Sequence, residues 1–272
     1  MSGAPAEPAG RRRLDVALVR RGLARSRGHA RELIDAGLVR VDGGPAAKAG
    51  ALVAEDVELG LTVTPQGWVG RGAAKLSAAV ARFAIPVAGR RCLDVGASTG
   101  GFTQVLLLAG AEHVIALDVG RGQLAPILHA DPRVTDLAGR DIRGTDPAVL
   151  GRFDLVVVDL SFISVTLVAG HLARLLEDDG DLVVLVKPQF EVGRGRVGKG
   201  GVVRSAASRR DAVRRVCRAL ADEGIGVLGI APSPMSGAAG NREYLVWGST
   251  RQDGRLAWSQ VQAQIGETEA SE

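Results

Sequence analysis

The stretch Arg90–Phe102, RRCLDVGASTGGF, holds the residues of this chain best suited to chemistry. It reads as an apolar strand ending in an acid, then a glycine-rich turn, then the first residues of a helix. Glycines there let backbone N–H groups approach a ligand more closely than side-chain-bearing residues would allow. A second acid, Asp118 in IALDVG, follows at the distance where a nucleotide-like ligand presents its ribose hydroxyls. Asp159, Lys187 and Glu243 lie further downstream. Three chemistries compete for such a turn: hydride transfer, hydrolysis and methyl transfer.

A dinucleotide fingerprint requires GxGxxG, and Ser98 occupies the place of its second glycine. Gly96-Ala97-Ser98-Thr99-Gly100 satisfies the GxSxG elbow of serine hydrolases, which also need an acid and a histidine on later loops. His113 precedes a strand, His129 lies in or just after a helix, and His171 sits inside an apolar helical run. None is placed as a base. The third ligand is S-adenosylmethionine, whose sulfonium cation suits nearby acids better than a pyrophosphate would. On that reading Asp94 ends the strand and the turn Gly96, Ala97, Ser98, Gly100, Gly101 and Phe102 wraps the methionine moiety. Asp118 and Val119 then face the ribose, and Asp141 and Ile142 reach the adenine.

These residues need a scaffold, and the pattern from Gly70 onward supplies one. Helices are predicted at 72–83, to Leu108, near 121–129, through Leu176 and over Arg209–Glu223. Between them run RCLDVG, HVIALDV, RVTDL, LVVVDL and LVVLVK, followed by GIGVLGIAP and REYLVWGS. β-Branched apolar strands alternating with helices imply an α/β fold, a mostly parallel sheet covered on both faces. The last two strands, joined by SPMSGAAGN, would form an antiparallel hairpin at the far edge.

The 272 residues suit one large domain and a small one. Aromatics make up only 3%, so Val, Leu, Ile and Ala must build the core. Formal charge is +4, but its distribution is uneven. Residues 11–48 hold ten Lys/Arg against four acids, and 187–215 hold nine against Glu191 and Asp211, which suggests a polyanionic partner. Cys92 and Cys217 read as inert core thiols in a reducing compartment. No signal peptide or membrane-spanning run is present, which places the expected protein in the cytoplasm, away from membranes. Residues 1–10 read as a disordered N-terminus and 251–272 as a flexible acidic tail.

From Arg13, two short amphipathic helices and a strand are predicted. Leu14, Ala17 and Leu18 share one face, and Ala30, Leu33 and Ile34 the other. Ser26 would cap the second helix and Gly37 end it, with a strand turning at Asp42-Gly43. The basic face would ordinarily be a solvated surface. Its order (R-L-D, A-R-S-R, G-L-V-R-V-D-G, then Lys48) resembles the RNA-binding module shared by a small-subunit ribosomal protein, pseudouridine synthases and tyrosyl-tRNA synthetases. That resemblance implies a small α+β RNA-binding domain over 11–64. It also implies RNA contacts at Arg13, Ser26, Arg27, Arg31, Arg40 and Lys48, and Arg11 and Arg71 are further basic residues expected to meet RNA.

GRGAAKL, DVGASTGGFT, VVDLSFIS, LVKPQFEVG and GNREYLVW follow one another as in the TlyA (haemolysin A) family, and the chain resembles that family from residue 11 to about 250. The resemblance implies a Rossmann-like class I methyltransferase domain over 71–250, FtsJ-like, joined by a linker at 65–70. It implies S-adenosylmethionine-dependent 2′-O-methylation of cytidine in ribosomal RNA of the small subunit, the large one or both; the enzyme is expected to be a monomer. The family's Lys-Asp-Lys-Glu tetrad falls on Lys75, Asp159, Lys187 and Glu243, with Asp159 also beside the cofactor. Lys187 would be the base that takes the hydroxyl proton, and Lys75 would steady the developing alkoxide. The two carboxylates would hold the amines and hydroxyl in line with the sulfonium. The donor supplies the electrophile, so no metal is implied. Two segments depart from the family's usual pattern: the linker QGWVGRG, and AGRDIR around Asp141. Two other functions remain: a non-catalytic RNA-binding assembly factor, and the membrane-lytic activity of the older family name.

Overall fold

The computed structural model describes residues 11–270 except Arg25, Ser26, Ala36, Leu38, Ala47, 62–66 and Lys199. Ser26, the expected N-terminal segment 1–10 and part of the expected linker lie outside these residues. The chain divides into two units, Met1–Arg71 and Gly72–Glu272.

In the first unit, β1 (Arg11–Arg13) leads directly into α1 (Leu14–Arg20), and α2 (Arg27–Asp35) follows. The apolar spacing works as the sequence demands: Leu14, Ala17 and Leu18 are buried against Ala30, Leu33 and Ile34. Gly37 adopts φ +72°, and its N–H returns to Ile34 O to end the helix. β2 (Val39–Val41) turns at Asp42-Gly43 into β3 (Gly44–Pro45) and also pairs with β5 (Leu59–Leu61). A pairing not foreseen joins β1 antiparallel to β4 (Leu52–Ala54).

The second unit opens with α3 (Gly72–Phe83), then β6 (Arg91–Val95), α4 (Gly101–Leu108), β7 (His113–Asp118), α5 (Pro126–His129) and β8 (Val134–Ala138). It continues through α6 (Pro147–Leu150), β9 (Phe153–Val158), α7 (Ala169–Leu175), β10 (Leu176–Val186) and α8 (Pro188–Glu191). α9 (Ala206–Asp222), β11 (Gly226–Pro232), β12 (Tyr244–Ser249) and α10 (Trp258–Ala270) complete it. One seven-stranded sheet runs β11-β12-β10-β9-β6-β7-β8. β8 through β10 are parallel, and β12 and β11 are antiparallel at one edge. The central strands are apolar on both faces because helices cover both: Val183–Val186 and Leu155–Val158 are fully or almost fully buried. The order reverses between β6 and β9, so their carboxyl ends open a crevice where such sheets bind ligands.

Three elements depart from the sequence reading. The helix expected near 121–129 shrinks to the four residues of α5; Gly122 within it takes φ +61°, outside helical geometry. α9 begins at Ala206, with the Ser205 side chain capping Ser208 N–H. The expected flexible tail instead folds: α10 packs along β11 and α9 and buries Val261 and Ile265 in the main core. Its Glu269 accepts from buried Arg209 and from the Tyr244 hydroxyl. The acids that made the segment look like a solvated tail include the one that anchors it.

Candidate active site

At the carboxyl end of β6, Gly96 (φ +87°) begins the turn and Gly100 (φ +92°) ends it before α4. A Cβ on Gly96 would lie 2.6 Å from Asp159 O, and one on Gly100 would collide with Leu128 and Leu124 side chains. The backbone oxygen bars a side chain at Gly96, while at Gly100 the two leucine tips would have to move and the left-handed φ adds strain. Ala97 and Phe102, the second residue of α4, are both buried. Ser98 (φ +48°) donates its N–H to Asp118 Oδ2 at 2.9 Å, and Gly120 N–H donates to Asp118 Oδ1 at 2.6 Å. Asp118 thus organises both walls of a small depression, lined also by Gln123 and Asp136. The sequence reading missed the last two.

Asp94 is fully buried. Its Oδ2 accepts from Thr103 N–H and Oγ1 at 2.8 and 2.7 Å, while Oδ1 has no hydrogen-bond partner. Burial pushes its pKa up to about 7 against the pull of Thr103, with Asp159 and Asp118 adding repulsion. Asp141 caps the turn Ile142–Gly144 through Arg143 N–H and grips the Arg143 guanidinium at 2.6 Å, which lowers its pKa to about 2. Ile142 is buried in the main core, and Val119 is exposed. No histidine among the described residues bonds to the Ser98 hydroxyl; His113 pairs with Thr135 and His129 with Asp136. The hydrolase geometry is therefore not assembled.

The four charged residues of the motif run converge beside this turn. Antiparallel pairing of Val186 with Tyr244 sets Lys187 next to Glu243 across two strand ends, and Asp159 follows β9 on the neighbouring strand. Lys75 projects from the first turn of α3, which packs on α4 and β12. Lys75 Nζ lies 2.5 Å from Glu243 Oε2, with side chains 8% and 3% exposed. Lys187 Nζ lies 2.7 Å from Asp159 Oδ1, with side chains 12% and 22% exposed. The contact to that oxygen is ionic, without regular hydrogen-bond alignment, while Nζ donates to Ser161 Oγ at 2.8 Å. One pair is sealed and the other faces the rim.

The same rim carries groups that the sequence reading did not single out. Phe162 is 92% exposed in a left-handed backbone conformation (φ +68°), which a bulky residue rarely adopts, and its ring stands 5.3 Å from that of Phe190. Asn241, buried just before Glu243, accepts from Val203 N–H and donates to Gly201 O, tying the glycine-rich loop after α8 to the site. Its place in GNRE was the available signal.

The family of such a site is decided by the rest of the chain. Residues 68–250 match the FtsJ-like methyltransferase family and residues 12–59 the S4 domain. The 16S/23S rRNA (cytidine-2′-O)-methyltransferase TlyA of Mycobacterium tuberculosis is 53% identical over 91% of this chain and 93% of its own length. The chain belongs to the TlyA family of FtsJ-like methyltransferases. Hemolysin A of Brachyspira hyodysenteriae, 36% identical over 86% of this chain and 98% of its own, is another relative of this TlyA-family protein. A solved Streptococcus thermophilus structure, provisionally named a hemolysin, superposes with a TM-score of 0.74 at 34% identity, covering 97% of each chain.

In the S4 unit of the TlyA-family chain, the expected RNA contacts divide. Arg11, Arg31 and Lys48 are exposed, and Arg40 and Arg71 are half-buried. Arg13 and Arg27 both reach buried Asp15, at 3.0 and 3.2 Å, and the Arg13 hydrogen bonds hold that carboxyl below its usual range. Within the basic segment 187–215, Arg209 turns inward to Glu269 and is not a surface contact. Cys92 and Cys217 are buried, with pKa values pushed up to about 12, as inert thiols would be.

Proposed function

We propose that this chain transfers a methyl group from S-adenosylmethionine to the 2′-hydroxyl of cytidine in ribosomal RNA of both subunits. The observation that carries the reading is the pair of lysine–carboxylate contacts meeting beside the glycine turn at the sheet's carboxyl edge. The dual substrate follows the M. tuberculosis relative, whose name gives 16S and 23S rRNA.

The residues at the crevice fit the cofactor. The backbone of Asp159 bars a side chain at Gly96, Asp94 keeps a buried carboxyl oxygen without a partner beneath the turn, and Asp118 retains lone pairs beyond its two amide bonds. Ala97, Ser98, Gly101 and Phe102 complete the methionine side, Asp118 and Val119 the ribose side, and Asp141 with Ile142 the adenine side. Asp159 flanks both ligands. Bound S-adenosylmethionine supplies a methyl group activated by its sulfonium charge, so this reaction class needs no metal.

The chain's own residues manage the hydroxyl. Lys187 is the base that takes the 2′-hydroxyl proton, with Asp159 and Ser161 fixing the amine. Lys75, locked by Glu243, places a fixed positive charge that steadies the alkoxide. Phe162 offers its exposed ring to a base flipped out of its helix. Arg11, Arg31, Arg40, Lys48 and Arg71 meet phosphates, and Arg13 and Arg27 do so from their Asp15 anchor. The enzyme works as a monomer in the cytoplasm. The hemolysin names favour lysis only as names, and no helix among the described residues is long and apolar enough to cross a membrane.

Labelled methyl transfer to unmethylated small and large subunits, with Lys187→Ala alongside, tests the proposal. Label in alkali-resistant dinucleotides from both subunits, lost in the variant, is expected. Cofactor binding without label on either subunit would indicate another RNA substrate or a non-catalytic assembly role.

A further inference from the structure

The loop after β9 carries Asp159 and the loop after β10 carries Lys187. The two are tied at three depths. At the rim, the rings of Phe162 and Phe190 meet. Below them Lys187 reaches Asp159 and Ser161. At the buried end, Glu191 on α8 accepts from Val165 N–H at 2.9 Å and from Ser164 Oγ at 2.5 Å.

Glu191 is 7% exposed, an unfavourable place for a carboxylate. Burial raises its pKa, and the two hydrogen bonds together with the charge of Arg215 oppose that rise. An apolar side chain would fill the same space without this cost. What it would lack is two acceptors facing consecutive residues of the opposite loop, which fix that loop in both translation and rotation against α8. Lys187 lies about one helical turn before Glu191 and Asp159 five residues before Ser164, so slack at the buried end is passed directly to the charged pair.

We infer that Glu191 is a positioning residue for methyl transfer, clamping Ser164–Val165 to α8 and so setting the spacing of Lys187 and Asp159. This rests on the methyl-transfer reading above. Without the carboxylate, Val165 N–H is left buried with no acceptor, and the loop must shift to satisfy it. A shift near 1 Å at the reacting groups costs about 100-fold in rate.

The test compares wild type, Glu191→Ala, Glu191→Gln and Ser164→Ala in the subunit methylation assay, with S-adenosylhomocysteine binding measured calorimetrically. Glu191→Ala should lose kcat by about 100-fold with the subunit KM and the cofactor Kd unchanged. Glu191→Gln keeps an acceptor for Val165 N–H and an amide for Ser164, and should retain most of kcat. Ser164→Ala removes one of the two bonds to Glu191, together with the Ser164 contacts to Thr166 N–H and Oγ1, and should fall between; it carries the test if Glu191→Ala does not fold. Wild-type kcat in either alanine variant, a glutamine variant as slow as alanine, or a loss confined to KM would overturn the clamp. A wild type that labels no subunit defeats the methyl-transfer reading instead. The clamp is then decided by the 15N signal of the Lys187 amine, which must move in Glu191→Ala and stay in Glu191→Gln; an unmoved signal in Glu191→Ala overturns it.

Discussion

Lys75 Nζ and Glu243 Oε2 stand 2.5 Å apart although 168 residues of chain separate them, and almost nothing of either side chain is exposed. A sealed pair of this kind is poor evidence of stability, because desolvation of both charges offsets their attraction. Breaking one side, however, leaves a buried charge. Glu243→Ala should therefore cost about 3–5 kcal/mol in urea unfolding, while Lys75→Met with Glu243→Leu should recover most of that. Neither variant should methylate RNA. An active double variant would show that the pair is structural only.

Gly96→Ala should damage cofactor binding more than its conformational cost explains. Positive φ alone penalises alanine by roughly 1–2 kcal/mol, and a Cβ here also meets Asp159 O at 2.6 Å. Gly89, also at positive φ (+72°) but with open space around its Cβ position, is the control. Calorimetry should show S-adenosylhomocysteine binding at least about tenfold weaker in Gly96→Ala and unaltered in Gly89→Ala.

Asp94 gives a pH signature. Its pKa in the folded chain is raised from 3.8 to about 7 by burial, so the folded state holds a proton that the unfolded state releases. Its contribution to stability is complete below pH 3.8 and is lost as pH rises through about 7. Across that window, the thermal midpoint of the wild type should fall relative to Asp94→Asn. Parallel midpoint curves for the two proteins would contradict a protonated Asp94.

The C-terminal helix should behave as core. Ile265 is 1% exposed inside the main cluster, so Ile265→Ala should cost about 2–5 kcal/mol by urea denaturation. A cost near zero would return the segment to the status of a loose tail.

Local pattern carried much of this molecule. Alternation of β-branched runs with helical stretches determined the α/β class, because strands buried on both faces cannot hide their composition. The spacing of Leu14, Ala17 and Leu18 determined the buried face of α1, since a helix repeats every 3.6 residues. The motif order marked Lys75, Asp159, Lys187 and Glu243. What pattern could not supply was partnership. Only the folded sheet, bringing β9, β10 and β12 side by side, joined Lys187 to Asp159 and Lys75 to Glu243. The same holds for Arg13 and Arg27 meeting at Asp15, for Glu191 reaching Ser164, and for the acidic tail that became α10 through Arg209. A charge near the chain end reads as solvated until its buried partner, sixty residues away, is in place. Sequence fixes which residues are adjacent along the backbone, but the pairing of distant charges depends on long-range packing that no local period encodes.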